Sequence, residues 1–278
     1  MKKVALLFLC AVLHLAAFAK VKVEKNIGYS NDKNDSNRQL NVYYKKGVVN
    51  PQDVIIFIHG GSWSSGKKET YWWLGRNMAR KGIVTVVINY GLAPENKYQQ
   101  MAADCTEAVK WVKEHISEYG GNPNRIFLMG HSAGGHLAEL INADPQYFAA
   151  AGLKNPVRGV ILDDAFGLDM NEYLTHSEKD ANYYNFLRTF SASPQTWTMA
   201  SPLHYLTQIQ NPHLIFYGGR TYPAIQIQSK RMQKELQEHQ VRSELQEIKN
   251  KKHVGMISQM IFGCNPLYDD ILEFIKNN

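Results

Sequence analysis

The stretch Gly130-His131-Ser132-Ala133-Gly134-Gly135 constrains the fold of this chain more than any other. It stands between an apolar run, Arg125-Ile126-Phe127-Leu128-Met129, and a helix-compatible run from Ala133 to Ile141. Strand, tight turn and helix follow one another there without a linker. A G-x-S-x-G turn in that setting puts its serine on a sharp bend at the C-terminal end of a strand, with Oγ exposed and the next helix N-terminus favouring developing negative charge. Glycine suits positions 130 and 134, where a Cβ would crowd the bend. An ordinary Gly-rich turn can share the pentapeptide; the flanking periodicity and a second motif upstream set this one apart.

The periodicity around the turn predicts an α/β architecture. Residues 21 to 49 alternate weakly through Val21, Val23, Leu40, Val42 and Tyr44, which predicts an antiparallel pair opening the sheet. Val54 to Ile58 and Ile83 to Ile88 are short apolar runs of the kind buried in a parallel sheet, with a helix near Glu69 to Arg80 between them. Met101, Cys105, Ala108, Val112 and Ile116 recur every three or four residues, and Gly120-Gly121-Asn122-Pro123 ends that helix. Further strands are expected at Val157 to Leu162, His213 to Tyr217 and Val241 to Ile248, with helices over Pro223 to His239 and around Leu267, Ile271 and Phe274. Residues 165 to 205 lose regular patterning and become rich in aromatics, which predicts a helical insertion capping the sheet. Strands alternating with helices give a mostly parallel sheet covered on both faces, with its site at the C-terminal strand ends.

Composition narrows the classes that remain. A chain of 278 residues, 44% hydrophobic and 20% charged, can bury one large core without a second domain. Lys2-Lys3, the apolar stretch Val4 to Phe18 and Ala17-Phe18-Ala19 read as a secretory signal over 1–19, leaving a mature domain over 20–278 that is secreted or periplasmic. The stretch is short for a membrane span and contains His14, so no stable span is expected. The net charge of +6 is spread along the chain apart from Lys249, Lys251 and Lys252, and no basic stripe points to nucleic acid. Beyond the signal, Cys105 and Cys264 allow one bridge at most; Cys105 lies on an apolar helix face, which favours a buried thiol.

A serine hydroxyl is a poor nucleophile at neutral pH, so it needs a base and donors for an oxyanion. The glycines of His59-Gly60-Gly61-Ser62-Trp63, directly after a strand, would let backbone N–H groups approach a reacting carbonyl together with that of Ala133. For the base, His253 follows the last strand and so reaches the same sheet edge, whereas His131 adjoins Ser132 and His136 lies a turn on. His115 and His239 fall on helix surfaces, and His176 and His204 belong to the cap and its exit.

These motifs resemble the α/β-hydrolases, and among them the esterase, lipase and arylformamidase group with an H-G-G-x-W loop. The resemblance runs from about Asp53 to the C-terminus and includes Tyr90-Gly91-Leu92-Ala93-Pro94, similar to a Y-R-L-A-P loop with glycine in place of arginine. It implies Ser132 as nucleophile, His253 as base and Gly60, Gly61, Ser62 and Ala133 as the oxyanion region. The acid departs from the family pattern: Gly218-Gly219-Arg220-Thr221 puts Thr221 where the group commonly has Asp or Glu. Asp163 is the expected substitute, ahead of Asp164 and Asp169, and a serine–histidine dyad is the variant without an acid. These aspartates could equally cap the chain entering the insertion.

The expected activity is hydrolysis of a short-chain or aryl carboxylic ester, small or linked to a carbohydrate, with Trp63, Tyr90 and Phe166 walling the substrate pocket and neither metal nor cofactor required. An arylformamidase-like amide hydrolase and a non-catalytic binding protein of the same fold are the alternatives.

Overall fold

The computed structural model describes residues 20–278, so the signal read over 1–19 lies outside the described residues. Eight strands form one sheet: β1 (Val21–Gly28), β2 (Gln39–Lys45), β3 (Gln52–Ile58), β4 (Val84–Ile88), β5 (Gly121–His131), β6 (Val157–Asp163), β7 (His213–Gly218) and β8 (Ser243–Ile248). Their order is β1-β2-β4-β3-β5-β6-β7-β8. The pairs β1/β2 and β2/β4 are antiparallel and the rest are parallel, as the weak alternation early in the chain and the apolar runs after it predict. Central strands buried on both faces have no solvent side to encode, hence their unbroken Val and Ile content.

Helices cover both faces. On one, α1 (Trp72–Arg80) and α10 (Leu267–Lys276) set Leu74, Met78, Ile271 and Phe274 against Ile55, Phe57, Phe127 and Met129. On the other, α2 (Tyr98–His115), α3 (Ala133–Ala143) and α8 (Pro223–Glu238) set Met101, Cys105, Leu137 and Met232 against Ile56, Ile58, Leu128 and Leu162. Cys105 is buried and Cys264 exposed, each a free thiol.

A short helix absent from the sequence expectations, α4 (Pro145–Ala150), follows α3; Asp144 caps it by accepting from the Gln146 N–H. An Asp-Pro start was its available signal. Residues 165–209 form α5 (Met170–His176), α6 (Ala181–Phe190), α7 (Pro194–Met199) and a 3₁₀ segment, Pro202–Gln208. Asp169 and Asp180 cap α5 and α6 by accepting from the N–H of Glu172 and Tyr183. These helices are fastened to the sheet by burial: Phe190 and Trp197 lie within the α2/α3-side core. Each such aromatic contributes roughly 1.5–3 kcal/mol of transfer free energy. After β8, His253 begins a further short helix, α9 (His253–Ser258). Among the described residues no helix is long and apolar enough to cross a membrane.

Candidate active site

Ser132 sits between β5 and α3 with φ 56° and ψ −124°, a backbone region costly for any residue with a Cβ. The strain is held by close packing. A Cβ on Gly134 would stand 2.0 Å from the Ile58 carbonyl oxygen, and one on Gly130 would stand 2.3 Å from that of Gly134. The Ser132 N–H donates to the Asp163 carbonyl at 3.2 Å, and its own carbonyl accepts from Phe166 N–H. The turn is thereby tied to the exit of β6.

His253 Nε2 lies 2.8 Å from Ser132 Oγ, and its Nδ1 lies 2.6 Å from Asp164 Oδ2. A carboxylate only accepts, so Nδ1 carries the proton and Nε2 is left to accept from the serine hydroxyl. The carboxylate facing His253 thus belongs to Asp164 and not to Asp163, the expected acid. Asp164 is wholly buried and also accepts from the Gly218 N–H at 2.8 Å and from the Thr221 hydroxyl. Thr221, at the position that the family usually gives to the acid, touches no ring nitrogen but holds the relocated carboxylate. Asp169 stands apart, paired with Arg231 and capping α5.

Strand alternation separates the two aspartates. Ile161 and Asp163 point to the same side of β6, where Ile161 packs with Phe127, Met129 and Phe274. Asp163 therefore enters the buried face, and neither of its carboxyl oxygens has a hydrogen-bond partner among the described residues. Burial, then the charge of Asp164, pushes its carboxyl well above the usual range. Asp164 leaves the strand with φ 52°, which returns its side chain toward Gly218 and His253. The alternation was a usable signal: a carboxyl in phase with Ile161 belongs inside.

The His59-Gly60-Gly61-Ser62-Trp63 loop approaches from β3. Gly61 has φ 127°, and Ser62 and Trp63 follow at 51° and 57°, three successive residues in a region that costs side chains energy. The Gly61 carbonyl accepts from Ser64 N–H, Ser65 N–H and Ser65 Oγ–H. Carbonyl and N–H of one trans peptide point oppositely, so the Ser62 N–H faces away from those donors. Ser62 and Trp63 line the same cavity as Ser132 and His253. Ala133 opens α3, where an N–H has no intrahelical partner. Gly60, also expected among the donors, packs directly against the serine turn. A Cβ there would meet the His131 carbonyl at 2.8 Å and Ser132 Cβ at 3.0 Å.

Three buried histidines brace this arrangement. His59 donates from Nδ1 to the Gly60 carbonyl at 2.8 Å and stacks on Tyr90 with ring centroids 4.6 Å apart; burial lowers its pKa to about 4. His136 accepts at Nδ1 from Trp63 Nε1–H at 3.2 Å and donates from Nε2 to the Ala200 carbonyl at 2.7 Å, joining loop, α3 and cap; burial lowers its pKa to about 4 as well. His131 faces the His253 carbonyl.

The cavity at Ser132 measures about 150 Å³, with Phe166, Tyr173, Asn182 and Phe186 from the β6 exit and cap completing its walls. Trp63 meets Phe186 and Phe190 edge-on at 5.5 and 4.8 Å, so its indole is a fixed wall. Phe166 lines the cavity as expected. Tyr90 does not: it is buried elsewhere, its hydroxyl donating to the His59 carbonyl at 2.9 Å. Tyr173, Asn182 and Phe186 were missed because a cap without periodicity does not reveal which side chains turn inward; Tyr222, at the start of α8, also lines the cavity. Phe166, Tyr173 and Tyr222 are shared with a wider groove of about 910 Å³.

The sheet order, the strained serine turn and the charge-paired histidine define an α/β-hydrolase fold. Solved structures with the same fold include esterase B from Lactobacillus rhamnosis, at TM-score 0.76 and 20% identity over 92% of this chain and 84% of that one. A truncated carbohydrate esterase from gut microbiota matches at TM-score 0.77 and 18% identity, over 94% and 98% of the two chains. More particularly, the chain belongs to the BD-FAE family, which it matches over residues 40–236. Among curated relatives, a probable isoprenylcysteine alpha-carbonyl methylesterase of Arabidopsis thaliana is 27% identical over 85% of this chain and 53% of its own length. Esterase LipC of Mycobacterium tuberculosis is 31% identical over 67% of this chain and 49% of its own. The chain spans about half the length of these two relatives.

Proposed function

We propose that the chain is a carboxylic ester hydrolase that works through an acyl-enzyme on Ser132. One observation carries this reading: the continuous line from Asp164 through His253 to Ser132 Oγ, at 2.6 and 2.8 Å. His253 takes the hydroxyl proton as Oγ attacks the ester carbonyl, gives it to the departing alcohol, and then activates the water that releases the acid. Asp164 stabilises the imidazolium formed in both steps. The N–H groups of Gly61, Ser62 and Ala133 serve the oxyanion.

Esterase names among the relatives support the ester class. A cavity of about 150 Å³ is below the usual 300–1,000 Å³ of a whole ligand site, which favours a short acyl group there with the alcohol in the adjoining groove. The aromatic walls equally suit an aryl group. The sequence of residues 1–19 supports export, which predicts Lys20 as the first residue of the protein found outside the cytoplasm.

The test is turnover of p-nitrophenyl acetate, butyrate and octanoate by the protein from Lys20 onward, beside Ser132→Ala and His253→Ala. Saturable turnover falling about 10⁶-fold in kcat in both variants is expected, with acetate or butyrate preferred over octanoate. Equal activity in wild type and Ser132→Ala would refute the reading.

A further inference from the structure

We propose that His131, the residue before the nucleophile, is a positioning residue that holds His253 in its Ser132-facing orientation. The inference rests on the triad reading above and goes beyond it.

His131 is 5% exposed and shares no hydrogen bond with Ser132 or Asp164, yet it meets His253 in two ways. Its Nε2 lies 3.2 Å from the His253 carbonyl oxygen, which only accepts, so Nε2 carries the proton and donates. Its ring also lies against the His253 ring, with centroids 4.9 Å apart and planes 29° from parallel. The contact thus grips both the backbone and the side chain of the base. It joins two residues 122 apart in sequence, through the neighbour of the very serine the base must reach.

The base has need of such a grip. His253 is the first residue of the six-residue helix α9, and its side chain stands 17% exposed at the cavity. A terminal residue of a short helix is poorly held by its own helix. Around the imidazole, Asp164 fixes Nδ1, Ser132 faces Nε2 and the half-exposed Tyr222 ring lies 5.2 Å away. His131 packs against a face of the ring from the buried side of the site. Desolvation, then the neighbouring His253, lowers the His131 pKa to about 3, so the ring stays neutral over the working range. A neutral ring can stack beneath an imidazolium without opposing the charge that forms during turnover.

The other groups near this layer do not replace it. His59 is occupied by Gly60, and the Asp163 carboxyl has no partner among the described residues. His131 Nδ1 also lacks a partner among them, so the Nε2 contact is the one polar bond recorded for this ring.

Two substitutions separate the parts of the contact. His131→Phe keeps a ring but removes the donor; His131→Gln keeps an amide N–H near the Nε2 position but removes the ring. Misplacement of a catalytic group by about 1 Å can cost about 10²-fold. His131→Phe should therefore lose about 10- to 100-fold in kcat with KM changed by less than about 2-fold, while His131→Gln recovers part of the loss. The downfield proton resonance of the His253 Nδ1–H bonded to Asp164 should shift or broaden in His131→Phe. Melting temperatures are read alongside. A folded His131→Phe protein with wild-type kcat, or one with an unchanged resonance, would overturn the proposal; so would failure of His131→Phe to fold while a folded His131→Gln shows the wild-type resonance and kcat. Undiminished activity in His253→Ala would instead overturn the triad reading on which this one stands.

Discussion

Two histidine–carboxylate pairs lie on opposite ends of this sheet, and only one of them is arranged to react. At the entrance of β7, His213 Nε2 lies 2.9 Å from Glu139 Oε2 of α3, with both side chains fully buried. Its other nitrogen, Nδ1, is closed by the Asn211 carbonyl at 2.9 Å. Asn142 further satisfies Glu139. At the exit of β6, His253 and Asp164 make the same kind of pair at 2.6 Å, but the second nitrogen of His253 faces a hydroxyl in an open cavity. The pair alone is therefore not the function. What matters is a ring nitrogen left for a group that can give up a proton, beside a serine held in strained backbone.

That comparison is broken most severely at Asp164. Asp164→Asn should lower kcat by about 10⁴-fold, because the amide no longer holds the Nδ1–H tautomer or the imidazolium, while the melting temperature changes little. Steady-state kinetics with a calorimetric scan would check it; activity within about 10-fold of wild type would show that His253 needs no carboxylate.

Glu139→Ala should do the reverse. It leaves His213 buried without its partner, at a cost of about 3–5 kcal/mol in urea unfolding, with kcat per folded molecule unchanged. A loss of turnover in the folded protein would give the second pair a catalytic share it is not expected to have.

The smallest effect overall is expected at Asp163, the carboxyl beside the reactive pair. Asp163→Asn should leave kcat within about 3-fold, since the side chain reaches no reacting group. Its effect on stability has a definite sign. An Asp with a raised folded pKa is ionised in the unfolded chain above about 3.9 but protonated in the fold, so wild-type stability falls as pH rises from there toward the folded value. Asp163→Asn removes that dependence. The variant should melt higher than wild type at pH 7, and the advantage should shrink as the pH is lowered to 4. An advantage that grows on acidification would mean that the carboxyl is charged in the fold.

Much of this was legible beforehand, for identifiable reasons. Apolar runs such as Val54 to Ile58 and Val84 to Ile88 encode buried parallel strands because both faces need the same chemistry. The glycine spacing around Ser132 encodes the turn because a Cβ at 130 or 134 would strike backbone. His253 was accessible by topology, since the loop after the last strand opens on the edge that carries Ser132. Other parts were illegible. Tyr90 belongs to a loop aligned beside the site, but its hydroxyl is spent on the His59 carbonyl. The cap has no periodicity from which Tyr173, Asn182 and Phe186 could be assigned to the cavity.

The sequence by itself determined the fold, the strained serine turn and the histidine that reaches it, because each is written in local glycine geometry, in the period of apolar residues or in chain order. Only the tertiary structure decided between Asp163 and Asp164. The two are neighbours of identical chemistry, and what parts them is distant in sequence: Gly218 N–H, the Thr221 hydroxyl and His253 converge on one carboxylate, while the other turns into the apolar face with Ile161. Charge survives burial only where donors gather around it, and that gathering exists only once the chain has closed.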